Sequence, residues 1–158
     1  RIAGNAANNE VIKIKFEVDV NPPAFAGFEY KYRLLPTPYS VKLYDMPSLF
    51  AGKIHAVICR AWKNRIKGRD LYDYVFYLSR GASVNRLHLR QRLIDSGYIT
   101  DEIECSIEEI KSMLNERFDT IDFEQAKRDV EPFIRDRSVL NIWCADFFKQ
   151  ITMSLREY

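Results

Sequence analysis

IKIKFEVDVNPP, at residues 12–23, opens the part of the chain that decides the fold, and SLFAGKIHAVICRAW at 48–62 and KGRDLYDYVFYL at 67–78 complete it. The first stretch alternates apolar and charged residues, and this period of two predicts a β-strand over residues 11–20. The other two repeat apolar residues every three or four positions, which is the spacing of amphipathic helices. The order therefore predicts a sheet first and helices after it.

The residues around these stretches extend the pattern in both directions. Two further β-like runs, at 28–35 and 39–44, are separated by Pro36-Thr37-Pro38 and predict an antiparallel pair. Helices are then predicted over residues 47–62, 69–78, 86–94, 106–117, 122–134 and 138–155, with cap residues at Asp45, Ser106 and Asp122. The predicted fold class is α+β, a small mixed or antiparallel sheet followed by a helical bundle. We expect one domain over 1–158, with its sheet portion at 11–45 and its helical portion at 46–158.

The composition argues against several classes of protein. With 24 basic and 22 acidic side chains, the net charge of +2 is too small to predict nucleic-acid binding by itself. Three widely spaced cysteines and two histidines favour neither a zinc site nor a disulfide framework, which indicates a reducing, cytoplasmic setting. No apolar run approaches the ~18–20 residues of a membrane span. Because the first residue is Arg1, we expect this chain to be a piece of something longer.

Two carboxylates occupy the polar face of the first predicted strand. Glu17 and Asp19 are two residues apart and share that face with Lys13 and Lys15. Such a face can hold Mg²⁺, which prefers one or two carboxylates together with substrate phosphates and water. The alternative is a solvated sheet face with alternating charges, which is the commoner explanation of so short a pattern.

Lys53 lies at the margin of the apolar stripe on the first predicted helix, on the same side as Ala56 and Arg60. A lysine in that position either extends its ammonium group to water, which is the commoner case, or meets an anion. Ala51 and Gly52 leave steric room beside it and favour the anion.

The start of the next helix carries a basic and acidic cluster. Asp70 falls in the first turn, where the helix dipole favours a carboxylate, and Arg69 and Asp73 have the i, i+4 spacing of an ion pair. Capping and a surface ion pair would explain these residues. Alternatively, the N–H groups of the helix start, beside Lys67 and Arg69, form a phosphate cradle.

In this order, the motifs Lys15-x-Glu17, Ala51-x-Lys53-x-x-Ala56 and Arg69-Asp-x-x-Asp73 resemble those of the AbiEii/AbiGii-type nucleotidyltransferase toxins. That family is related to the polymerase-beta-like nucleotidyltransferases and includes toxins of bacterial abortive-infection and toxin–antitoxin systems. The resemblance covers residues 11–80 by motif and the helical remainder in character. It implies the C-terminal part of a nucleotidyltransferase-like fold.

The resemblance also implies roles for individual residues. Glu17, Lys53 and Asp70 would be catalytic, with Glu17 the ligand of a Mg²⁺ cofactor. Lys15, Lys53, Arg69 and Asp73 would bind the nucleotide. Since the two helices pack through their apolar stripes, we expect Lys53, Asp70 and Asp73 on one cleft wall near Glu17.

The function implied is transfer of a nucleotide from a nucleoside triphosphate to an RNA (such as tRNA) or protein acceptor, with a cognate antitoxin as protein partner. Family members carry a glycine-containing turn and an acidic pair ahead of the first strand, and this sequence has neither. Either the chain is the C-terminal part of a longer protein, which we favour because it begins at Arg1, or it is a degenerate relative. In both cases we expect the 158 residues alone to be inactive, and we expect self-association through an incomplete sheet edge.

The alternative is a non-catalytic module that binds protein or RNA. Aromatic residues expected on the surface would form a protein-binding face: Tyr72, Tyr77, Trp143 and Phe147. Basic residues between Trp62 and Tyr72 would contact RNA through phosphate attraction and stacking: Lys63, Arg65, Lys67 and Arg69. A solvated, charged loop is the commoner explanation of that basic cluster.

Overall fold

A two-stranded antiparallel sheet precedes a helical bundle in the computed structural model, which describes residues 13–60 and 67–158. The predicted α+β class is confirmed. The elements in chain order are β1 (Phe28–Arg33), β2 (Tyr39–Tyr44), α1 (Met46–Cys59), α2 (Gly68–Ser79), α3 (Arg86–Asp95), α4 (Ile107–Phe118), α5 (Phe123–Val130) and α6 (Ala145–Thr152). Short 3₁₀ turns at Glu131–Phe133 and Arg137–Leu140 link α5 to α6.

The predicted antiparallel pair is present as a hairpin. Phe28 pairs with Tyr44 and Arg33 pairs with Tyr39. β1 ends two residues earlier than predicted, and the prolines of the Pro36-Thr-Pro38 turn, which lack an N–H donor, separate the strands. Most of the large apolar and aromatic side chains of the hairpin are exposed.

The prediction of a strand over residues 11–20 is wrong for the residues that the structure describes. Residues 13–20 have neither strand nor helix conformation, and residues 11 and 12 lie outside the described part. The alternating apolar residues Ile14, Phe16 and Val18 are 73%, 89% and 83% exposed, so none of them reaches the core. A strand is stabilised by hydrogen bonds to a neighbouring strand, and in the described sheet only β1 and β2 pair.

Helix starts agree well with the local sequence signals. Asp45 accepts the Ser48 N–H at the start of α1, and Asp122 accepts the Gln125 N–H at the start of α5. Ser106 and Glu109 form the predicted capping box of α4, and Asn85 caps α3 by accepting the His88 N–H. In the described part of the chain α2 and α6 are different, because neither Lys67 nor Cys144 at the N-cap position makes a side-chain cap hydrogen bond.

Three predicted helix ends are wrong. α1 ends at Cys59, before the predicted end at 62, because Arg60 has an extended backbone conformation. α5 stops at Val130 and continues only as a 3₁₀ turn, since Pro132 lacks the N–H that an α-helix needs. The helix predicted over 138–155 is instead the 3₁₀ turn Arg137–Leu140 followed by α6. Asn141 to Cys144 between them are residues of modest helix propensity, and Trp143 turns into the core against Phe148.

The core is centred on α1. Phe50, Ile54 and Val57 are fully buried and α1 packs against α2, α3 and α4. α2 packs on its other side against α5, where Gly68 approaches the backbone of Ala126 so closely that a Cβ would lie 1.9 Å from its carbonyl oxygen. The bundle therefore holds α2 between α1 and α5, and its first turn has little freedom to shift.

Candidate functional site

A cavity of about 580 Å³ opens between the polar margins of α1, α2 and α3. Its charged wall residues are Lys53, Arg60, Arg69 and Arg92 against Asp70 and Asp73, so four cations face two carboxylates. We call it the cationic cavity. Tyr44, Ser48, Leu49, Gly52 and Ala56 complete the lining.

An ion pair between Lys53 and Asp73 joins α1 to α2 in this cavity. The Lys53 ammonium donates to Asp73 Oδ2 over 2.7 Å, and the two side chains are 37% and 33% exposed. The sequence had suggested Asp73 as a partner for Arg69, four residues before it, and this interpretation is wrong. The described residues show no hydrogen bond or ion pair involving Arg69, whose exposed side chain lies at the cavity wall.

Asp70 is the most buried charged group of the cavity, and it pairs with Arg60. Arg60 Nη1 lies 3.0 Å from both carboxylate oxygens of Asp70, which is only 3% exposed. A carboxylate at that depth requires a cationic partner, because an unpaired buried charge is strongly destabilising. Arg60 was not among the predicted site residues. Its position seven residues after Lys53, two helical turns along the same face, was the available signal.

Arg92 completes the cavity from α3, and a buried histidine positions it. Arg92 Nε–H donates to His88 Nε2 over 3.0 Å, so Nε2 must be unprotonated. His88 Nδ1–H therefore donates to the carbonyl oxygen of Ala24, 2.7 Å away. Burial, with a smaller contribution from the Arg92 charge, lowers the pKa of His88. The neutral ring thus links the segment before β1 to a cation of the cavity.

Mild acid is expected to destabilise the protein through its histidines. The pKa of His88 is lowered from the unfolded value of about 6.5, so between the two pKa values the unfolded state binds more protons and stability falls as pH falls. Burial lowers the pKa of His55 in the same direction. From about pH 7.5 to about pH 5.5 we expect Tm to decrease by about 2–4 °C, the shift that ~1 kcal/mol produces in a chain of this size. Calorimetry of wild type and His88→Gln checks this, since the variant should show a shallower pH dependence. An unchanged slope in His88→Gln would contradict it.

Of the predicted site residues, four come together and two do not. Lys53, Asp70 and Asp73, which were expected on one cleft wall, all line the cationic cavity, and Arg69 lines it too. Lys15 and Glu17 are not among its lining residues and pair with each other on an exposed segment. The expectation that Glu17 lies beside the cluster is therefore not met, because the strand that would have carried it is absent from the described sheet. The chemical roles of all six residues stay predictions.

Comparison with known proteins gives one finding. A family model described as "Nucleotidyl transferase AbiEii toxin, Type IV TA system" matches residues 2–148. No curated protein and no solved structure shows a significant match to the chain. Among the described helices, none combines the length and the apolar character that crossing a membrane requires.

Proposed function

Because the chain belongs to the AbiEii nucleotidyl transferase toxin family, we propose that the cationic cavity binds the phosphates of a nucleoside triphosphate whose nucleotide is transferred to an RNA or protein acceptor. The family is one of nucleotidyl transferase toxins of a type IV toxin–antitoxin system. A cognate antitoxin is the protein partner that this membership suggests.

The observation that carries the proposal is the surplus of positive charge in one cavity. Four cations and two carboxylates leave two positive charges in excess, which favours a polyanion. Guanidinium and ammonium groups make short, charge-assisted hydrogen bonds to phosphate oxygens. A volume of about 580 Å³ also falls within the ~300–1,000 Å³ typical of ligand pockets.

The two carboxylates have positioning roles in this proposal. Asp73 holds the Lys53 ammonium and Asp70 holds the Arg60 guanidinium, so each fixes a cation that would contact phosphate. Arg69, with no partner among the described residues, is available to the triphosphate without the loss of an existing ion pair. Lys53 and Arg69 are therefore our proposed phosphate ligands.

Neither carboxylate of the cationic cavity could hold Mg²⁺ without giving up a cationic partner. No group of three or more histidine, cysteine, aspartate or glutamate side chains in the described part of the chain could hold a metal ion. Asp70 and Asp73 are each engaged by a cation, and Glu17 by Lys15. Glu17 as a Mg²⁺ ligand stays a prediction from the family resemblance, and no step of the proposed chemistry is routed through the metal.

Titration calorimetry with nucleoside triphosphates tests the binding proposal directly. We expect the wild-type chain to bind with an affinity that falls as salt is added, because the contacts are electrostatic. Arg69→Ala should reduce this affinity by about tenfold, the size of one hydrogen bond to a charged group. Arg80→Ala is the matched control, since Arg80 ends the same helix and lies over the Phe76 ring. No binding by the wild type, or an equal loss in both variants, would contradict the proposal. Transfer is tested separately with labelled nucleotide and RNA acceptors.

The alternative function, a non-catalytic interaction module, was based partly on aromatic residues of the helices, and two of these four residues are buried. Tyr77 and Trp143 are only 9% and 4% exposed, so the prediction that they form an exposed aromatic face is wrong. Phe147 is half-buried, and Tyr72 alone of the four is exposed. Trp62, Lys63 and Arg65 of the basic cluster lie outside the described residues.

A further inference from the structure

A second cavity, of about 490 Å³, lies on the other side of the first turn of α2. Its wall combines the side chains of Tyr72, Val130, Phe133 and Ile134 with the charged groups of Lys67, Arg69 and Asp129. Gly68 forms part of its wall where α2 meets α5. We call it the aromatic cavity. Neither the family match nor the predicted motifs assign a ligand to it.

Two aromatic rings of this cavity face water. Phe133, on the 3₁₀ turn after α5, is 87% exposed, and Tyr72 on α2 is 46% exposed. Because both rings are exposed, neither of them is needed to fill the core. Exposed rings next to cationic side chains are the usual way in which proteins stack nucleobases, because every base presents a flat π-face.

The aromatic cavity and the cationic cavity share one lining residue, Arg69. At about 100° per residue around α2, Arg69 lies between Tyr72 on one side and Asp73 on the other. Tyr72 faces the aromatic cavity and Asp73 the cationic cavity. The Arg69 side chain therefore lies between the cationic cavity and the aromatic cavity.

This juxtaposition matches the chemistry of a single ligand, in which a triphosphate is joined through ribose to a flat base. We infer that the aromatic cavity is the base subsite of the nucleotide whose phosphates occupy the cationic cavity, with Phe133 and Tyr72 as stacking surfaces. The inference rests on the proposed function and adds where the base is held. Asp129 lies on the same wall and accepts the Gly68 N–H over 3.4 Å.

Comparison of two probes separates this inference from the proposed function. Nucleoside triphosphate reports on both cavities, whereas inorganic tripolyphosphate reports on the cationic cavity alone. Phe133→Ala and Tyr72→Ala should each lower the affinity of the full chain for nucleoside triphosphate by about tenfold, the effect of removing one stacked ring. Both should leave the affinity for tripolyphosphate unchanged. The high exposure of Phe133 makes its removal harmless to folding, which thermal unfolding of the variant verifies.

Tyr98→Ala is the matched control for Tyr72→Ala, since Tyr98 is 45% exposed and lines neither cavity. Unchanged nucleoside triphosphate affinity in both cavity variants would overturn the base subsite while leaving the proposed function intact. A loss confined to binding of an RNA acceptor would also overturn it, because the cavity would then serve the acceptor. If the wild type binds neither probe, the proposed function and this inference fail together.

Discussion

Replacing Lys53 by alanine is expected to lower the affinity for a nucleoside triphosphate by about 10- to 100-fold, the range for losing a hydrogen bond to a charged group. The change halves the charge surplus of the cationic cavity, from four cations against two carboxylates to three against two. It also leaves the Asp73 carboxylate, 2.7 Å from the missing ammonium, unpaired and repelling phosphate. Titration calorimetry with nucleoside triphosphate and with tripolyphosphate measures the loss, which should be similar for both ligands.

Lys149→Ala is a closely matched control for Lys53→Ala. Lys149 makes an ion pair of 2.6 Å with Asp119, and its side chain is 34% exposed against 37% for Lys53. It lies on α6, away from the residues that line the cationic cavity. Lys149→Ala should therefore leave both affinities unchanged. Equal effects of the two variants would mean that general charge, and not the cavity, attracts the ligand.

The second large effect concerns stability. In Gly68→Ala the new Cβ would lie 1.9 Å from the carbonyl oxygen of Ala126 and 3.1 Å from Val130 Cγ1. The first contact is with backbone, so it is relieved only if α2 and α5 move apart. We expect a loss of about 3 kcal/mol of unfolding free energy, at the upper end for overpacking of a core. In a chain of this size that corresponds to a decrease in Tm of about 6–12 °C, measurable by calorimetry.

Gly52→Ala provides the opposite outcome within the same protein. Its added Cβ would lie 3.7 Å from the nearest atom of the Arg92 guanidinium, which is ordinary van der Waals contact. Since Gly52 is in the interior of α1, alanine should stabilise the helix by about 0.5–1 kcal/mol. If both variants behaved alike, the close approach of α2 to α5 would not be what requires glycine at position 68.

Helix starts were predictable because their causes are local. Asp45, Ser106 and Asp122 each cap an N–H group three residues away, so the signal is contained in four consecutive residues. Strand formation is not local in that sense. The alternation over residues 13–20 predicts which side chains would share each face of a strand. It carries no information on whether a neighbouring strand pairs with it.

The candidate site was predictable as a group of residues and less so as a set of contacts. Amphipathic stripes place Lys53, Asp70 and Asp73 on facing margins of two packed helices, and they do share a cavity. Which cation each carboxylate meets depends on the rotation of one helix against the other, so the pairing with Arg60 was missed. Phe133 was missed because its partner Tyr72 lies far away in the sequence, and only the packing of α2 on α5 brings them to one wall.

The missing side-chain cap at Lys67 has a consequence for motion. Four of the described helices begin with an N-cap side chain that holds an N–H of the first turn, a contact that contributes about 0.5–2 kcal/mol, whereas α2 and α6 begin without one. The first turn of α2 is instead held from outside the helix, by its packing on α5 and by Asp129, which accepts the Gly68 N–H, so amide hydrogen exchange there should report on the contact between α2 and α5. Binding of a ligand to Arg69 or Tyr72 should add to this restraint, and slower amide hydrogen exchange at the start of α2 would report it.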